Sequence, residues 1–282
     1  MAQLLYGAPV AAAICERAGS RLAQLKERGI VPGVAILRIG EDGGSAAYER
    51  SAIKRCTGLG IRAESVALPA EAGQEALLQE IDRINGREDI HGCLVMMPLP
   101  KGLDELAVRQ ALRPEKDLDC ITPSSQSFVF SGRGPGFTPC TPQACLEILD
   151  HYGVPLKGAR VAVIGRSLAV GRPLSLLLQN RDATVTMCHS GTRELAQICR
   201  EQDIVISAAG RAGLVTGDFL RPGQVVLDVG TNVTSAGKLT GDVCFDEAES
   251  IVAAITPVPG GVGAVTTSVL AEHAVLAAEA FI

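Results

Sequence analysis

One turn in this chain has the residue types that can hold a phosphate. Residues 159–173 run from an apolar stretch into Gly165, a short polar turn and then an amphipathic segment over 173–179. This order of strand, tight turn and helix leaves backbone N–H groups at a helix N-terminus, where a pyrophosphate can bind. Ser167 stands where the second glycine of a G-x-G-x-x-G motif would be. Because structural turns also use glycine, the segment alone leaves both a nucleotide site and a plain turn open.

The end of the following strand bears on which nucleotide would bind. In nucleotide-binding α/β units an acidic residue there binds the ribose 2′-hydroxyl and would repel a 2′-phosphate. Residues 183–190 end in Ser190 and offer no carboxylate, while Arg166 in the turn can supply positive charge to a phosphate. The sequence therefore favours NADP over NAD, with NAD still possible. In the alternative interpretation, Arg166 is an ordinary surface residue and Ser190 only begins a turn.

Strand and helix patterns alternate along the chain and would position these residues. The apolar periodicity predicts strands over residues 33–40, 64–68, 91–97, 160–165, 183–188, 203–207 and 224–229. It predicts helices over residues 10–28, 45–60 (with Ser45 as a candidate N-cap and Gly58 or Gly60 as the stop), 74–84, 104–112, 143–152 and 266–280. Between residues 116 and 142 the periodicity fails, which indicates a domain connection or an active-site loop. The alternation predicts an α/β protein: two domains with mostly parallel sheets, helices on both faces and a cleft between the domains.

Composition excludes several functional classes. The 282 residues allow one large domain or two smaller ones, and a net charge of −5 without a Lys/Arg-rich run argues against nucleic-acid binding. No apolar run approaches the ~18 residues that a membrane span needs. The nine cysteines are scattered without a C-x-x-C, and no signal peptide is evident, so a reducing cytoplasm is expected. The four histidines share no metal-like spacing, and no metal is predicted.

Motifs spread over nearly the whole chain resemble the bacterial FolD-type methylenetetrahydrofolate dehydrogenase/cyclohydrolases. The most specific is the loop Thr-Pro-Val-Pro-Gly-Gly-Val-Gly at 256–263. The other matching segments are 98–100 (Pro-Leu-Pro), 116–119 (Lys-Asp-Leu-Asp), 139–142, 163–173, 188–190, 228–230 with Asn232, and 241–243.

The resemblance implies a folate-binding, catalytic domain formed by residues 1–138 and 264–282, and a Rossmann-like NADP-binding domain formed by 139–263. It also implies a homodimer whose substrate is 5,10-methylenetetrahydrofolate. Carried over by motif, the cofactor-binding residues are Gly165, Arg166, Ser167, Ser190, Thr231, Gly261 and Gly263. Thr231 fills a place that the family usually gives to Ile.

The helix expected to carry the chemistry departs from the family pattern. The family has a Tyr and, four residues later on the same helical face, a Lys; here Tyr48 is followed by Ala52. Lys54 lies roughly 240° round the helix from Tyr48 and therefore off that face. The family Gln that hydrogen-bonds the Lys is replaced by Met96. Neither replacement can move a proton or carry charge.

Two polar residues of the implied folate site remain, Tyr48 and Asp119. The resemblance implies that Asp119 anchors the pterin and that Tyr48 stacks on the substrate; the alternatives are an exposed loop acid and a packing residue. Several neighbouring positions also depart from the family: Cys120 replaces a Gly, Ala264 and Val265 replace a Pro-Met pair, and Tyr6-Gly7-Ala8 replaces Asp-Gly-Lys.

These replacements bear on the two reactions of the family differently. Hydride loss from methylenetetrahydrofolate depends mainly on positioning, because N5 and N10 stabilise the methenyl cation. Hydrolysis of that cation needs protons moved, which suits a tuned Lys. The sequence thus predicts a dehydrogenase with weak or absent cyclohydrolase activity. Two alternatives stay open: a full bifunctional enzyme in which Lys54 supplies the amine, and a non-catalytic paralogue that binds nucleotide and folate.

Overall fold

The chain forms two compact units. The computed structural model describes residues 1–40, 43–134, 136–234 and 237–280. What we call the N-terminal unit consists of Ala13–Cys140 and Thr267–Ile282, and the C-terminal unit consists of Met1–Ala12 and Thr141–Thr266.

The strands and helices alternate, as the sequence predicts. The strands are β1 (Gln3–Leu4), β2 (Gly33–Ile39), β3 (Arg62–Leu68), β4 (Gly92–Val95), β5 (Arg160–Ile164), β6 (Thr184–Cys188), β7 (Ile204–Ser207), β8 (Val225–Asp228), β9 (Asn232–Val233), β10 (Leu239–Thr240) and β11 (Ala254–Ile255). The α-helices are α1 (Gly7–Glu27), α2 (Gly43–Leu59), α3 (Gln74–Gly86), α4 (Glu105–Ala111), α5 (Pro123–Ser131), α6 (Cys140–His151), α7 (Gly171–Gln179), α8 (Leu195–Arg200), α9 (Phe245–Ile251) and α10 (Gly263–Ala280). No helix among these is long and apolar enough to cross a lipid bilayer.

The N-terminal unit contains a parallel three-stranded sheet in the order β3-β2-β4. The first five residues of the central strand β2 are buried, as expected for a parallel strand covered on both faces. From β2 the chain first adds β3 on one side and then β4 on the other. The strand order therefore reverses between β2 and β4, and open α/β sheets bind ligands at the carboxyl ends of strands at such a point.

Helix α2 follows β2 and presents one face to the interior. Tyr48, Glu49, Ala52 and Cys56 fall within about 100° of arc, and the last three of them are buried. The helix begins at Gly43, so the prediction of Ser45 as an N-cap is wrong; that residue lies inside the helix. The predicted stop is confirmed just beyond Leu59, where Gly60 has a φ of +88°.

A buried lysine closes the C-terminal end of α3. The Lys116 ammonium donates to the carbonyl oxygens of Ile84, Asn85 and Arg87 at 2.8, 3.0 and 2.6 Å. Helix C-terminal carbonyls lack partners within their own helix, so a cation stabilises them both as a donor and as a charge. The first residue of the Lys-Asp-Leu-Asp motif is therefore structural.

The next residue of that motif organises the start of α5. The two carboxylate oxygens of Asp117 accept from the backbone N–H groups of Ile121 and Thr122 at 2.9 and 2.8 Å. Thr122 is the N-cap of α5, since its hydroxyl oxygen accepts from the N–H of Ser125. The segment 116–142, predicted to be a domain connection or an active-site loop, thus contains a helix that the sequence analysis did not predict. A Ser- and Phe-rich helix has no amphipathic period, and the capping Thr followed by Pro was the available signal.

The C-terminal unit contains a parallel six-stranded sheet in the order β1-β11-β8-β7-β5-β6. The strands predicted over 160–165, 183–188, 203–207 and 224–229 are confirmed to within one residue at each end. The chain leaves β5 for β6 and then crosses to β7 on the other side, so this sheet reverses its order between β5 and β7. The short strand β1 pairs with β11, which puts residues Met1–Ala12 in this unit rather than in the first domain of the sequence-based division. Two-residue strands give too little periodicity to be recognised from sequence.

Candidate functional site

The turn after β5 lies at the reversal point of the larger sheet. Gly165 has a φ of +132°, and a Cβ at this residue would clash with the carbonyl oxygen of Ala208, which follows β7. A Cβ on Gly171 would clash with the carbonyl of Gly165. Because backbone meets backbone at both positions, only glycine fits. The N–H of Gly165 donates to the carbonyl of Cys188 at 2.9 Å, which joins the turn to the end of β6.

Ser167 caps the helix that follows this turn. Its hydroxyl oxygen accepts from the N–H groups of Val170 and Gly171 at 3.1 and 3.4 Å, at the start of α7. These two bonds satisfy N–H groups at the start of the helix, whose N-cap position is Val170. Arg166 and Ser167 are both exposed.

Ser190 lies in an exposed loop that its neighbours hold in shape. The Nδ1 atom of His189 accepts from the N–H of Gly191 at 3.1 Å, and the N–H of His189 donates to the hydroxyl of Thr192 at 2.8 Å. Because the carbonyl of Cys188 accepts a hydrogen bond from the N–H of Gly165, this loop begins beside the glycine turn. The structure thus brings Gly165 and the Ser190 loop to the same edge of the sheet.

Two aspartates hold the loops that follow β7 and β8. Asp228 accepts from the N–H groups of Gly230, Asp242 and Val243, each at 2.9 Å, and burial raises its pKa to about 6. The Asp242 carboxylate collects five donors: the Ser207 hydroxyl, the N–H groups of Ala209, Gly210 and Arg211, and the Asn232 amide. Thr231 is exposed in the loop that these bonds fix.

The carboxylates also explain two glycines of the matched motifs. A Cβ on Gly241 would clash with the Asp228 carboxylate, and a Cβ on Gly230 would clash with that of Asp242. Asp242 lies in the matched segment 241–243, but the sequence analysis assigned it no role. The sequence contains one sign of this arrangement. Each of the segments 228–230 (Asp-Val-Gly) and 241–243 (Gly-Asp-Val) has an Asp and a Gly close together beside the end of a strand.

The loop over 256–263 packs against the N-terminal segment of the same unit. A Cβ on Gly261 would lie 2.6 Å from the Pro257 carbonyl oxygen, and one on Gly7 would clash with the Gly261 carbonyl. The N–H of Gly7 donates to the carbonyl of Gly260 at 2.8 Å. Gly261 is buried, whereas Gly263 is exposed as the first residue of α10.

In the N-terminal unit, Tyr48 and Met96 lie on segments that begin at the carboxyl edge of the sheet. Tyr48 is half-buried on α2, and the N–H of Met96, just after β4, donates to the carbonyl of Leu37 at 2.9 Å. Ala52 is fully buried, so its methyl group does not border a water-filled space in which a longer side chain could lie. Lys54 is exposed and does not share this face.

Asp119 is half-buried, and polar groups contact both its carboxylate and the carbonyl of the preceding residue. Its Oδ1 accepts from the N–H of Cys140 at 2.7 Å, and burial raises its pKa to about 6. The preceding carbonyl, of Leu118, accepts from Nδ1 of His273 at 2.9 Å and from the thiol of Cys140. The His273 ring stacks on Phe137 at 4.8 Å, and burial lowers its pKa, which favours the neutral ring with its proton on Nδ1. No sequence pattern pointed to His273.

Cys120, directly after Asp119, has an unusual backbone. It is buried with a φ of +57°, in the left-handed region that favours glycine. The resemblance implies a Gly at this place, and the backbone has kept the conformation that a glycine would adopt.

Fold and turns define a two-domain α/β protein with a Rossmann-like C-terminal unit, and comparison with known proteins gives the family. Profiles of the tetrahydrofolate dehydrogenase/cyclohydrolase family match the chain twice, the catalytic domain over residues 5–119 and the NAD(P)-binding domain over 139–281. The chain therefore belongs to this family, and the resemblance seen in the motifs is confirmed.

Individual relatives cover all or nearly all of the chain. The bifunctional protein FolD of Carboxydothermus hydrogenoformans is 48% identical over 281 residues, which cover 99% of this chain and 98% of the relative. The structure of the bifunctional FolD enzyme from Campylobacter jejuni has a TM-score of 0.96 at 35% identity and covers 100% of both chains. That of the FolD enzyme from Trypanosoma brucei, complexed with NADP and an inhibitor, has a TM-score of 0.94 at 41% identity and covers 99% of this chain and 98% of its own.

The positive φ at Cys120 predicts that a glycine variant is more stable than an alanine variant, which is the reverse of the usual order. We expect Cys120→Gly to be more stable than Cys120→Ala by about 1 kcal/mol, because only glycine adopts a positive φ without strain. At Cys56, inside α2, the order should be normal, with Cys56→Gly less stable than Cys56→Ala by about 1 kcal/mol. Denaturant unfolding of the four variants measures both differences. The same order at both sites would contradict the prediction.

Burial of Asp119 predicts a pH-dependent gain in stability for Asp119→Asn. The pKa is raised from 3.8 to about 6 in the folded protein, so the wild type loses stability as pH rises through this window and the carboxyl ionises in a partly desolvated site. The amide keeps an acceptor for Cys140 but cannot ionise. We therefore expect the variant's free energy of unfolding to rise relative to wild type between pH 4 and about 6. Asp82→Asn, on the exposed face of α3, is the control; an equally flat difference for both variants would refute the effect.

Proposed function

We propose that this protein oxidises 5,10-methylenetetrahydrofolate to 5,10-methenyltetrahydrofolate with NADP, and that its cyclohydrolase activity is weak or lost. One contrast carries the proposal. The glycine turns of the C-terminal unit keep a geometry that only glycine allows, whereas Ala52 and Met96 put apolar groups where the family resemblance implies a Lys and a Gln.

The residues of the C-terminal unit fit a dinucleotide. Gly165 and Gly171 allow a close backbone approach at the reversal point of the sheet, and the exposed Arg166, Ser167 and Ser190 offer donors for phosphate. The remaining proposed cofactor-binding residues are Thr231, Gly261 and Gly263. Residues 189–193, directly after β6, include no carboxylate that would repel a 2′-phosphate, which supports NADP as the preferred cofactor.

The residues of the N-terminal unit fit a role in binding and orientation. We assign pterin anchoring to Asp119 and substrate stacking to Tyr48. When bound, NADP supplies the acceptor for the hydride, and the N5 and N10 lone pairs of the substrate stabilise the cation that remains. The protein therefore has to position the donor carbon and exclude water, and it needs no side chain that accepts a proton. Hydrolysis of the cation requires such a group, and neither a methyl nor a thioether is one.

A second candidate is a full bifunctional dehydrogenase/cyclohydrolase. It is favoured by the bifunctional character in the names of the relatives, including one that is 48% identical. In this reading Lys54 would have to supply the amine. Its exposed position, roughly 240° round α2 from Tyr48, argues against that role.

We further propose that the protein acts as a cytoplasmic homodimer with small-molecule ligands only. The acidic net charge and the free cysteines of the described chain support this, together with the family resemblance. Sedimentation equilibrium of the purified protein at micromolar concentration tests the dimer, and a monomer would refute it.

The two activities can be separated in one absorbance assay. With methylenetetrahydrofolate and NADP, we expect NADPH and methenyltetrahydrofolate to accumulate together, and hydrolysis of added methenyltetrahydrofolate to run roughly 10²-fold slower than oxidation, because the proton-transfer groups are missing. Parallel runs with NAD measure the cofactor preference. Comparable rates of hydrolysis and oxidation would establish the bifunctional enzyme instead. No turnover, with NADP binding intact by calorimetry, would indicate a non-catalytic paralogue.

Restoring the polar pair should restore hydrolysis. We expect Ala52→Lys combined with Met96→Gln to raise the hydrolysis rate at least about tenfold, because an amine then returns to the Tyr48 face. Ala52 is fully buried, so circular dichroism and Tm must first show that the double variant is folded. Met96→Gln alone is the matched control, and Lys54→Ala should leave hydrolysis unchanged. No gain in a folded double variant would mean that other pocket residues limit the step.

A further inference from the structure

Three polar side chains form a hydrogen-bonded network beside Tyr48 that the proposed reaction does not use; Glu49 is buried, Arg38 is half-buried and Ser65 is exposed. The Nε of Arg38 donates to Oε2 of Glu49 at 2.7 Å, with side-chain exposures of 13% and 6%. The hydroxyl of Ser65 donates to the other oxygen, Oε1. A second donor of Arg38, Nη1, bonds the carbonyl of Gly40.

Stability alone does not account for this network. The mutual attraction of a buried ion pair is largely offset by the loss of hydration of both charges, and a well-packed apolar pair would serve the fold equally well. What an ion pair with fixed hydrogen bonds adds is a defined geometry.

The network fixes the part of α2 that carries Tyr48. Glu49 is the next residue on the helix, and its two carboxylate oxygens are held by donors from two strands, β2 and β3. Arg38 also holds Gly40, the residue at which β2 gives way to the connection toward α2. Neither Ala52 nor Met96 has a side chain that could tie the helix to the end of β4 by a strong hydrogen bond.

We propose that Arg38, Glu49 and Ser65 are positioning residues that set the orientation of the Tyr48 ring toward the substrate. The proposal rests on the function proposed above, because Tyr48 acts there as the stacking residue. None of the three touches the reacting atoms; they act through the helix turn that Tyr48 and Glu49 share.

Tyrosine NMR tests the orientation without turnover. The chain has three tyrosines and no tryptophan. Tyr6 and Tyr152 lie in the C-terminal unit, where the Tyr152 hydroxyl donates a hydrogen bond to the Tyr6 carbonyl at 2.9 Å. In protein labelled with 13C on the tyrosine rings, the Tyr48 signal is assigned with Tyr48→Phe. We expect Glu49→Gln to move that signal and to leave the other two in place.

Kinetics tests the consequence for the substrate. Glu49→Gln should raise KM for methylenetetrahydrofolate roughly tenfold, with kcat and the KM for NADP within about twofold, because a displaced stacking residue weakens binding of substrate and transition state alike. In the Tyr48→Ala background, which has no ring left to orient, the same change should alter KM by less than about twofold. An equal effect in both backgrounds would show that Glu49 does not act through Tyr48.

Two further variants separate positioning from folding. Glu64→Gln breaks the Glu64–Arg87 ion pair on β3 of the same unit and should leave the Tyr48 signal and all kinetic constants unchanged. The double variant Arg38→Leu/Glu49→Leu leaves no lone buried charge, so we expect it to fold. It should show the displaced Tyr48 signal and the raised KM. A native signal and native KM in this folded variant would overturn the proposal.

The outcomes also distinguish this proposal from the proposed function. If the wild type lacks dehydrogenase activity, the proposed function fails, and the NMR comparison still decides whether the network orients Tyr48. If the wild type is active and the Tyr48 signal is unmoved in Glu49→Gln, only the positioning role is refuted.

Discussion

A carboxylate that leaves water must be surrounded by hydrogen-bond donors, and the loops of the C-terminal unit are built around two that do. Asp228 and Asp242 take backbone N–H groups from the segments that follow β7, β8 and β10. Backbone donors can converge in this way only where no Cβ intervenes, which accounts for Gly230 and Gly241. These hydrogen bonds hold the loops at the carboxyl edge of the sheet, where a nucleotide binds in folds of this kind.

The same constraint separates a structural acid from a candidate functional acid in the N-terminal unit. Both oxygens of Asp117 are satisfied by backbone N–H groups, so this carboxylate has completed its bonding within the fold. Asp119, two residues on, receives one backbone N–H, from Cys140, and burial raises its pKa. An acid that is partly desolvated and only partly satisfied is a suitable partner for a polar ring. Their spacing in the motif gives no hint of this difference, since it depends on which backbone groups the fold brings to each side chain.

Sequence reasoning succeeded where the signal is local and failed where it is not. The buried strands β2, β5 and β7 are runs of Val, Ile and Ala long enough to be read, and Gly165 marks its turn because no other residue fits. Helix α5 was missed because it carries no amphipathic period, and β1 because two residues paired with a distant strand leave no pattern. His273 and the Arg38–Glu49 pair are likewise products of tertiary packing: His273 is 155 residues from the carbonyl it meets. Such contacts follow from topology, which single-sequence periodicity does not contain.

The two units differ in what their candidate sites are made of, and this bears on how a protein of this family can lose one reaction and keep another. The turn proposed to bind the nucleotide is made of backbone: Gly165 and Gly171 are required by direct contact between main chains, so almost any substitution there would disturb the fold itself. The proposed folate site depends on side chains that project from α2, and the packing of this helix does not require them. Ala52 fills its place on α2 with no exposed surface, so a change from a long charged residue to a methyl is compatible with a closed, well-packed helix. In the proposed function, hydride transfer depends on the backbone turn that binds the nucleotide and on contacts that bind the substrate. Hydrolysis of the cation depends on a specific side chain that moves a proton. Loss of the second reaction alone is therefore the change that this architecture allows with the least disturbance to the fold.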